Sequence, residues 1–599
     1  MMLLFPFELV PKGSRIILYG AGDCGIQFFR QIINTHYCNV VLWVDKRANE
    51  IENGEDRFGC KFPISAVEKI QECNDFDYAV IAIVNKDIAD SAAKMLHDEY
   101  GISEDKIITT CHEYSTDTVY PNNRVEDEYK EPSLESLAID ELCLVNELSV
   151  MPRFLVARDI VNNVYNEANL SLYKRTILAQ GDIFTKENYF VERKKETVND
   201  FIEEFKKLID AMKASDFDQR KYVPIVTGNR ILLDGQHRIA GAAALEKEIY
   251  VKYYPDLEEY GDGFGFDWFV KNGFSTEDMQ RILYAYGDCY KECGIFLLFG
   301  TQEHNWDYFL AQIKKNCTVV GYVDLDFKHD YVGFENIIRD MYWDPLWINT
   351  QIHLKAKLLK LAPLKIRVVL VSNQNNKEKD IYKTIRATKL LLRDSVSEEL
   401  EVLSGAVTHA TDNYEEYLWV RELFLSVNTC KNMSRIVLRN YRASFIEKLD
   451  KYRKLLYDNG VRPEDAMIVG SSILEVFGLR ESKDIDFIVN SKGRAVLGNR
   501  SRKIAEEIEL CEKDFVVIEN DAVMPDDVLI SDENLHLQFY GLKFINLEIL
   551  KSKKIRDARQ KDEEDVKLIN LFLEYANNFD DKLELRRQID RELHLKRFL

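Results

Sequence analysis

The sequence predicts a multidomain α/β protein, and three observations carry that reading. Apolar strands alternate with amphipathic helices from the start, "RIILYG", "IQFFRQIINTH" and "NVVLWVD", the pattern of a parallel sheet covered by its crossover helices. The chain has 599 residues, too many for a single core, so a prior of roughly four domains follows. Its composition, 46% hydrophobic and 30% charged, is that of folded globular chains.

Composition also bounds function. A net charge of −21 argues against nucleic acid or an anionic membrane as a partner held by bulk electrostatics, and leaves room only for local basic pockets. Eleven cysteines include no C-x-x-C pair. Cys289 and Cys293 have C-x3-C spacing, but without a second ligand pair they read as buried free thiols. The start "MMLLFPFELVPKGSR" lacks a basic leader and contains two prolines, so it does not read as a signal peptide. No apolar run reaches the ~18 residues of a membrane span. A cytoplasmic protein is expected, with oligomerisation left open.

Residues 1–115 give the first unit. The glycines of "GAGDCG", Gly20, Gly22 and Gly25, sit between a strand and a helix, and Asp45 closes the next strand. This is the context of a dinucleotide site: glycines admit a pyrophosphate, the helix start favours its charge, and Asp45 could accept from a ribose hydroxyl. The other reading is the same fold binding something else, or nothing. The stretch resembles the short N-terminal Rossmann domains of bacterial surface-glycan enzymes, which implies NAD, a nucleotide sugar or an empty pocket. Hydride-transfer chemistry has no support nearby. "DYAVIAIV" and a helix ended by Gly101 follow, and then a polar linker over 116–149, "STDTVYPNNRVEDEYKEPS" within it.

Residues 150–290 form the second domain. In "ILLDGQHRIAGAAALEK" a strand turns into an alanine-rich helix at Asp234, Gly235, Gln236, His237 and Arg238. Free N–H groups, a glycine and two cationic side chains at one helix start suit an anion, although a His-Arg pair there can be simple capping. The pattern resembles the ParB/sulfiredoxin superfamily. That resemblance implies nucleotide phosphates held by His237 and Arg238, with Gly235 and Gln236 in the binding turn. Asp234 would contact a metal or hydroxyl, or brace the turn. Gln236 stands where the sulfinic-acid reductases have cysteine. The acidic charge and the lack of a helix-turn-helix oppose the DNA-clamp branch. An ATP-dependent kinase of small hydroxyl compounds is the favoured branch. "FSTEDMQRILYAYGDCYKECG" follows as a helix capped by Ser275 or Thr276.

Residues 291–432 form a central α/β domain whose "GIFLLFG…VVGYVDLDF" echoes the first β-α-β unit, with Gly300 and Asp324 in place of Gly20 and Asp45. Around His409, "THATDNYEE" resembles the phosphohistidine loop of nucleoside-diphosphate kinases, and Thr384, Arg386 and Arg393 lie in a stretch like that family's phosphate-binding arginines. The resemblance implies phosphoryl transfer through His409, with Arg386 and Arg393 balancing charge. The other reading is a structural histidine.

Residues 433–599 open on a long helix that stops at Asn459-Gly460 and leads to "MIVGSSILEVFGLRESKDIDFIV". Gly470-Ser471 ends one strand, and Asp484 follows Ser471 by 13 residues at the start of another. Asp484 and Asp486 share a face of that strand, where like charges oppose each other's ionisation unless water or a cation intervenes. "VDLDF" places Asp324 and Asp326 at the same spacing without a Gly-Ser, so the spacing alone is weak. Gly-Ser followed by D-x-D resembles the nucleotidyltransferase superfamily, and the downstream residues resemble its small bacterial branch of antibiotic-modifying enzymes. The resemblance implies Mg²⁺ on Asp484 and Asp486, a phosphate at Gly470 and Ser471, and a third carboxylate from a following strand. Glu519, with Asp514 behind it, is the candidate for that carboxylate. Lys543, Lys551, Lys554 and Arg556 are candidates for the triphosphate, Lys543 foremost.

Together these readings describe an enzyme that phosphorylates a small alcohol and joins the product to NMP from ATP or CTP, making a nucleotide-linked precursor of surface polysaccharide. The rivals are direct nucleotidylation of a small-molecule or protein hydroxyl, as resistance enzymes perform, and a non-catalytic nucleotide sensor.

Overall fold

The computed structural model describes residues 2–7, 9–35, 37–48, 64–109, 112–114, 133–180, 198–214, 224–255, 263–342, 352–373, 380–396, 404–436, 443–498, 503–505, 507–511, 517–519, 522–576 and 582–596. The fold is mixed α/β. It divides into two compact units, Met1–Ser136 with Ala168–Arg238 and Ile249–Gly273, and Leu137–Glu167 with Ile239–Glu248 and Phe274–Leu599. No helix among the described residues is long and apolar enough to cross a membrane.

The first unit holds a five-stranded sheet in the order Ile64–Ser65, Asn39–Val44, Arg15–Tyr19, Tyr78–Ile81, Ile107–Ile108. Every neighbouring pair is parallel. Alternation along the strands explains both faces. Ile16, Leu18 and Val80 pack with Phe28, Phe29 and Ile32 of the helix Asp23–Thr35. Ile17, Tyr19, Ala79 and Ile81 pack with Ala89, Ala92 and Leu96 of the helix Lys86–Asp98. A second sheet runs in the order Leu232–Asp234, Ile225–Thr227, Ile249–Tyr254, Ser133–Leu137. Its last strand falls within the stretch expected to be linker, as does the short helix Ile139–Glu141, while 116–132 of that stretch lie outside the described residues.

The second unit contains a four-stranded and a six-stranded sheet. The central one runs Thr318–Asp326, Lys365–Ser372, Cys293–Phe299, Thr408–Ala410, and every neighbouring pair is antiparallel. The expected echo of the first unit is therefore partial. The helix Trp306–Asn316 does connect Cys293–Phe299 to Thr318–Asp326, but Lys365–Ser372 inserts between them and reverses the pairing. Ser275 caps the helix Thr276–Cys289 in a capping box with Asp278. Cys289 and Cys293 are buried free thiols, as the sequence suggests.

The C-terminal sheet has six strands in the order Lys503–Ala505, Ile508–Leu510, Ile485–Val489, Ala466–Val469, Leu542–Ile545, His536–Phe539. The helix Ala443–Asp458 delivers the chain to it, and Gly460 takes the left-handed φ of +71° beyond the helix end. Ile485, Phe487, Ile488 and Val489 are all buried, so Asp486 is the one half-exposed position in an otherwise apolar strand.

Candidate functional site

Three strand registers build a carboxylate cluster in the C-terminal sheet. Ala466–Val469 runs antiparallel to Ile485–Val489 and sets Val469 opposite Asp486. The chain then turns at Gly470, whose φ is +71°, and a β-carbon there would stand 2.8 Å from Asp486 Oδ2. The glycine is thus a cradle: its missing side chain is the space that the carboxylate occupies. Asp484 lies one residue ahead of the strand rather than on it, and it is exposed. Ser472, rather than Ser471, donates its hydroxyl to the Asp484 carbonyl, at 3.0 Å. Ser471 occupies the turn without a side-chain hydrogen bond to cap the short helix behind it.

A further carboxylate that the sequence reading did not single out stands beside Asp486. Ile508–Leu510 runs parallel to Ile485–Val489 and places Glu509 opposite Asp486. Glu519 belongs instead to a two-residue strand paired only with Ala522–Val523, outside the six-stranded sheet. Asp514 lies outside the described residues. Burial, then Asp484, then Glu509 push the Asp486 carboxyl up to about 6, while the Cys511 thiol and Lys561 pull it down. Neither Asp484 nor Asp486 forms an ion pair among the described residues.

The second D-x-D behaves differently. Asp324 takes a two-pronged contact from Arg367, Nε at 2.7 Å and Nη2 at 2.8 Å, and Asp326 accepts the Lys328 N–H at 2.8 Å. Those acids are consumed by structure.

Among the described residues no three His, Cys, Asp or Glu side chains converge closely enough to hold a metal by themselves. That suits magnesium, which usually takes one or two carboxylates plus substrate phosphates and water rather than an all-protein cage. With Asp486 seated in the Gly470 cradle and Asp484 exposed beside it, the donor set fits such an ion.

The loop between Gly-Ser and D-x-D is held from below. Ser482 donates its N–H and hydroxyl to Glu475, both at 2.7 Å. Arg480 grips Asp565 with two contacts, 2.5 and 2.7 Å, and Lys554 bridges Asp562 and Asp565 at 2.9 and 2.8 Å. Lys554 therefore serves this brace. Lys543 donates to the Ile530 carbonyl at 2.8 Å, and the charges acting on it are Glu422, Arg421 and Asp288. Lys561, at the start of the helix Gln560–Tyr575, is a cation that acts on Asp486.

At the Asp234–Arg238 turn, Gly235 has φ +95° and packs where a β-carbon would meet Pro224 at 2.6 Å. Asp234 Oδ1 accepts the Gly235 N–H at 2.7 Å, a bracing contact. Burial raises its carboxyl, opposed by that N–H and by Arg238. Gln236 opens the helix Gln236–Ala244. His237 Nε2 is hydrogen-bonded to the Tyr173 hydroxyl at 2.9 Å, and its ring meets Phe205 edge-on with centroids 4.8 Å apart. The imidazole is thus embedded in an aromatic cluster as well as facing the turn.

In the first Rossmann-like turn, Gly20 and Gly25 answer to packing: a β-carbon on Gly25 would lie 1.9 Å from the Gly20 carbonyl oxygen. Gly22 faces open space, the position where a phosphate could approach. Asp45 is nine-tenths buried and uses both oxygens internally, Oδ2 accepting from Ala21 N–H at 2.6 Å and Oδ1 from Arg47 N–H at 2.8 Å. Its observed job is to pin the glycine turn.

His409 is buried on Thr408–Ala410, with Nδ1 hydrogen-bonded to the Tyr342 hydroxyl at 3.3 Å and Nε2 3.1 Å from Glu416 without hydrogen-bond geometry. Burial lowers its pKa, with Glu416 opposing. Arg393 donates to the Thr408 carbonyl at 2.8 Å and Arg386 to the Asp412 carbonyl at 3.3 Å.

The structure therefore sets Gly470 against Asp486, with Asp484 and Glu509 acting on the same carboxyl, and places the Glu519 strand in a separate two-stranded sheet. Comparisons of the chain with protein-family models, with curated proteins and with solved structures return no match.

Proposed function

We propose that the chain is a nucleotidyltransferase that moves NMP from a nucleoside triphosphate to a small acceptor, the carboxylates at the Gly470 cradle being its reaction centre. The single observation that carries this reading is the fit of the Asp486 carboxylate into the space of the missing Gly470 side chain, with Asp484 and Glu509 against it. Burial, with Asp484 and Glu509 adding like charge, holds the Asp486 carboxyl up to about 6, so binding of positive charge is favoured there. Asp484 and Asp486 would hold Mg²⁺, which when bound supplies charge neutralisation and polarisation of the α-phosphate. The Gly470-Ser471 turn offers backbone N–H groups and a hydroxyl to the phosphates. Lys561 adds a compensating cation, and the Arg480–Asp565 and Lys554 contacts keep the loop in place. The acceptor oxygen attacks the α-phosphorus, the bond to the β-phosphate oxygen breaks, and pyrophosphate leaves.

On this reading the Asp234–Arg238 turn of the first unit is an ATP-dependent kinase site that supplies a phosphomonoester acceptor, in the cytoplasm, toward a nucleotide-activated polysaccharide precursor. The test is incubation with Mg²⁺, ATP or CTP and a panel of polyols and polyol phosphates, followed by mass spectrometry. A product with two phosphates between nucleoside and alcohol supports the tandem scheme. NMP joined directly to a hydroxyl favours resistance-type chemistry, and nucleotide binding without pyrophosphate release favours a sensor.

A further inference from the structure

The registers place a second feature beside the carboxylates. Ile468 pairs in parallel with Phe544, so Gly470 and Asn546, each two residues further on, leave the sheet at the same edge on adjacent strands. Adjacent strands lie about 4.8 Å apart, which puts Asn546 about 10 Å from the Asp486 strand. At Asn546 a cavity of about 200 Å³ opens, walled by the helix Val427–Arg435, the helix Thr276–Cys289 and the residues after Leu542–Ile545. Drug-sized sites occupy about 300–1,000 Å³, so its occupant is smaller.

The wall is a ladder of amides. Asn432 Nδ2 donates to Asn428 Oδ1 at 2.8 Å, Asn546 Nδ2 donates to the same oxygen at 3.0 Å, and Asn534 Oδ1 accepts from Arg281 at 2.6 Å. These bonds fix the amides before any ligand arrives. Asn432 is buried, and its Nδ2 also donates to the Asn428 carbonyl at 2.9 Å. Lys431 at the rim has no ion-pair partner among the described residues. Arg435, Glu277 and Glu548 complete a lining of mixed sign. Acceptors and cations in alternation match a molecule that carries several hydroxyls and one anionic group. A purely apolar ligand would strand the amides, and a polyanion would meet Glu277 and Glu548.

We propose that this cavity is the acceptor subsite of the nucleotidyltransferase and that it takes a small phosphorylated polyol. Its hydroxyls donate to Asn432 and the two glutamates, and Lys431 and Arg435 meet its phosphate. The proposal rests on the transferase reading and adds to it the place where the acceptor sits and the side chains that hold it. A larger cavity, about 370 Å³ and bordered by Lys314, Lys315 and Thr384, belongs to the central sheet and holds no paired carboxylates.

The experiment measures pyrophosphate release from MgATP and MgCTP against ribitol 5-phosphate, glycerol 3-phosphate and unphosphorylated ribitol, with calorimetric titration of the same probes. Lys431→Ala alters an exposed side chain, so the fold is retained, and loss of one charge-assisted contact is expected to raise KM and Kd for the phosphorylated probe about tenfold. Asn432→Leu, checked by its melting temperature, should act in the same direction. The subsite is overturned if no phosphorylated probe binds the wild-type chain, or if Lys431→Ala leaves both constants unchanged. Asp486→Asn separates this from the parent reading. Continued pyrophosphate release by that variant overturns the transferase itself, whereas loss of release with probe affinity intact upholds both.

Discussion

Replacing Gly470 by alanine separates backbone strain from displacement of the reactive carboxylate. Gly470 and Gly460 share a φ of +71°, so either alanine carries the left-handed penalty of roughly 1–2 kcal/mol. At Gly460 the nearest atom to a new β-carbon is a Val496 methyl at 3.5 Å, an ordinary contact. At Gly470 it is Asp486 Oδ2 at 2.8 Å, and restoring a contact of 3.4 Å requires a shift of about 0.6 Å. Misplacement by about 1 Å near a reaction centre costs on the order of 100-fold, so a shift of this size should cost at least about tenfold in kcat. The assay pairs pyrophosphate release with melting temperature for both variants. Both should lose about 1 °C per kcal/mol of strain, and only Gly470→Ala should lose activity. If Gly470→Ala stays within about threefold of wild type while its melting temperature falls, the carboxylate in the cradle is not the reaction centre.

Other outcomes follow from the same geometry. Glu509→Gln should lower turnover by about 100-fold and Glu519→Gln by no more than about threefold, measured as pyrophosphate release; equal effects would remove Glu509 from the site. Glu533, 1% exposed, is held up to about 7 by desolvation, against the opposing pull of Arg281, so the folded state keeps a proton that an unfolded glutamate loses near 4.5. Stability should therefore decline as pH rises from about 4.5 to 7, by about 3 kcal/mol. Glu533→Gln should flatten that part of the melting-temperature profile, and parallel profiles would refute the assignment. Asp45→Asn keeps an oxygen for Ala21 and should melt close to wild type, whereas Asp45→Ala should lose about 1–3 kcal/mol. A selective loss of NAD affinity in Asp45→Asn without a stability change would instead restore the ribose role.

The parallel sheet at the N-terminus was legible because its strands are uniformly apolar and its helices amphipathic, signals that belong to single segments. Gly470, Asp484 and Asp486 were legible because a glycine turn and two acids at i and i+2 fall within one hairpin-like unit. Glu509 was not. Its strand, Ile508–Leu510, is three residues long, it follows two other glutamates, and only the parallel register with Ile485–Val489 sets it apart. Lys543 stood out because it lies near a turn, whereas its hydrogen bond to the Ile530 carbonyl is a tertiary contact that no local pattern records. The antiparallel central sheet escaped because Lys365–Ser372 enters between two strands joined by a helix, a long-range choice that no local period records. The internal use of both Asp45 oxygens is likewise a tertiary fact, invisible in a glycine fingerprint.

The most direct measurement is diffraction from crystals grown with Mn²⁺ and a non-hydrolysable nucleoside triphosphate, read at the manganese edge. Anomalous density in coordination contact with Asp484 and Asp486, with the α-phosphate beside it, is the predicted result. Manganese absent from those carboxylates, with the nucleotide bound elsewhere on the chain, would contradict it.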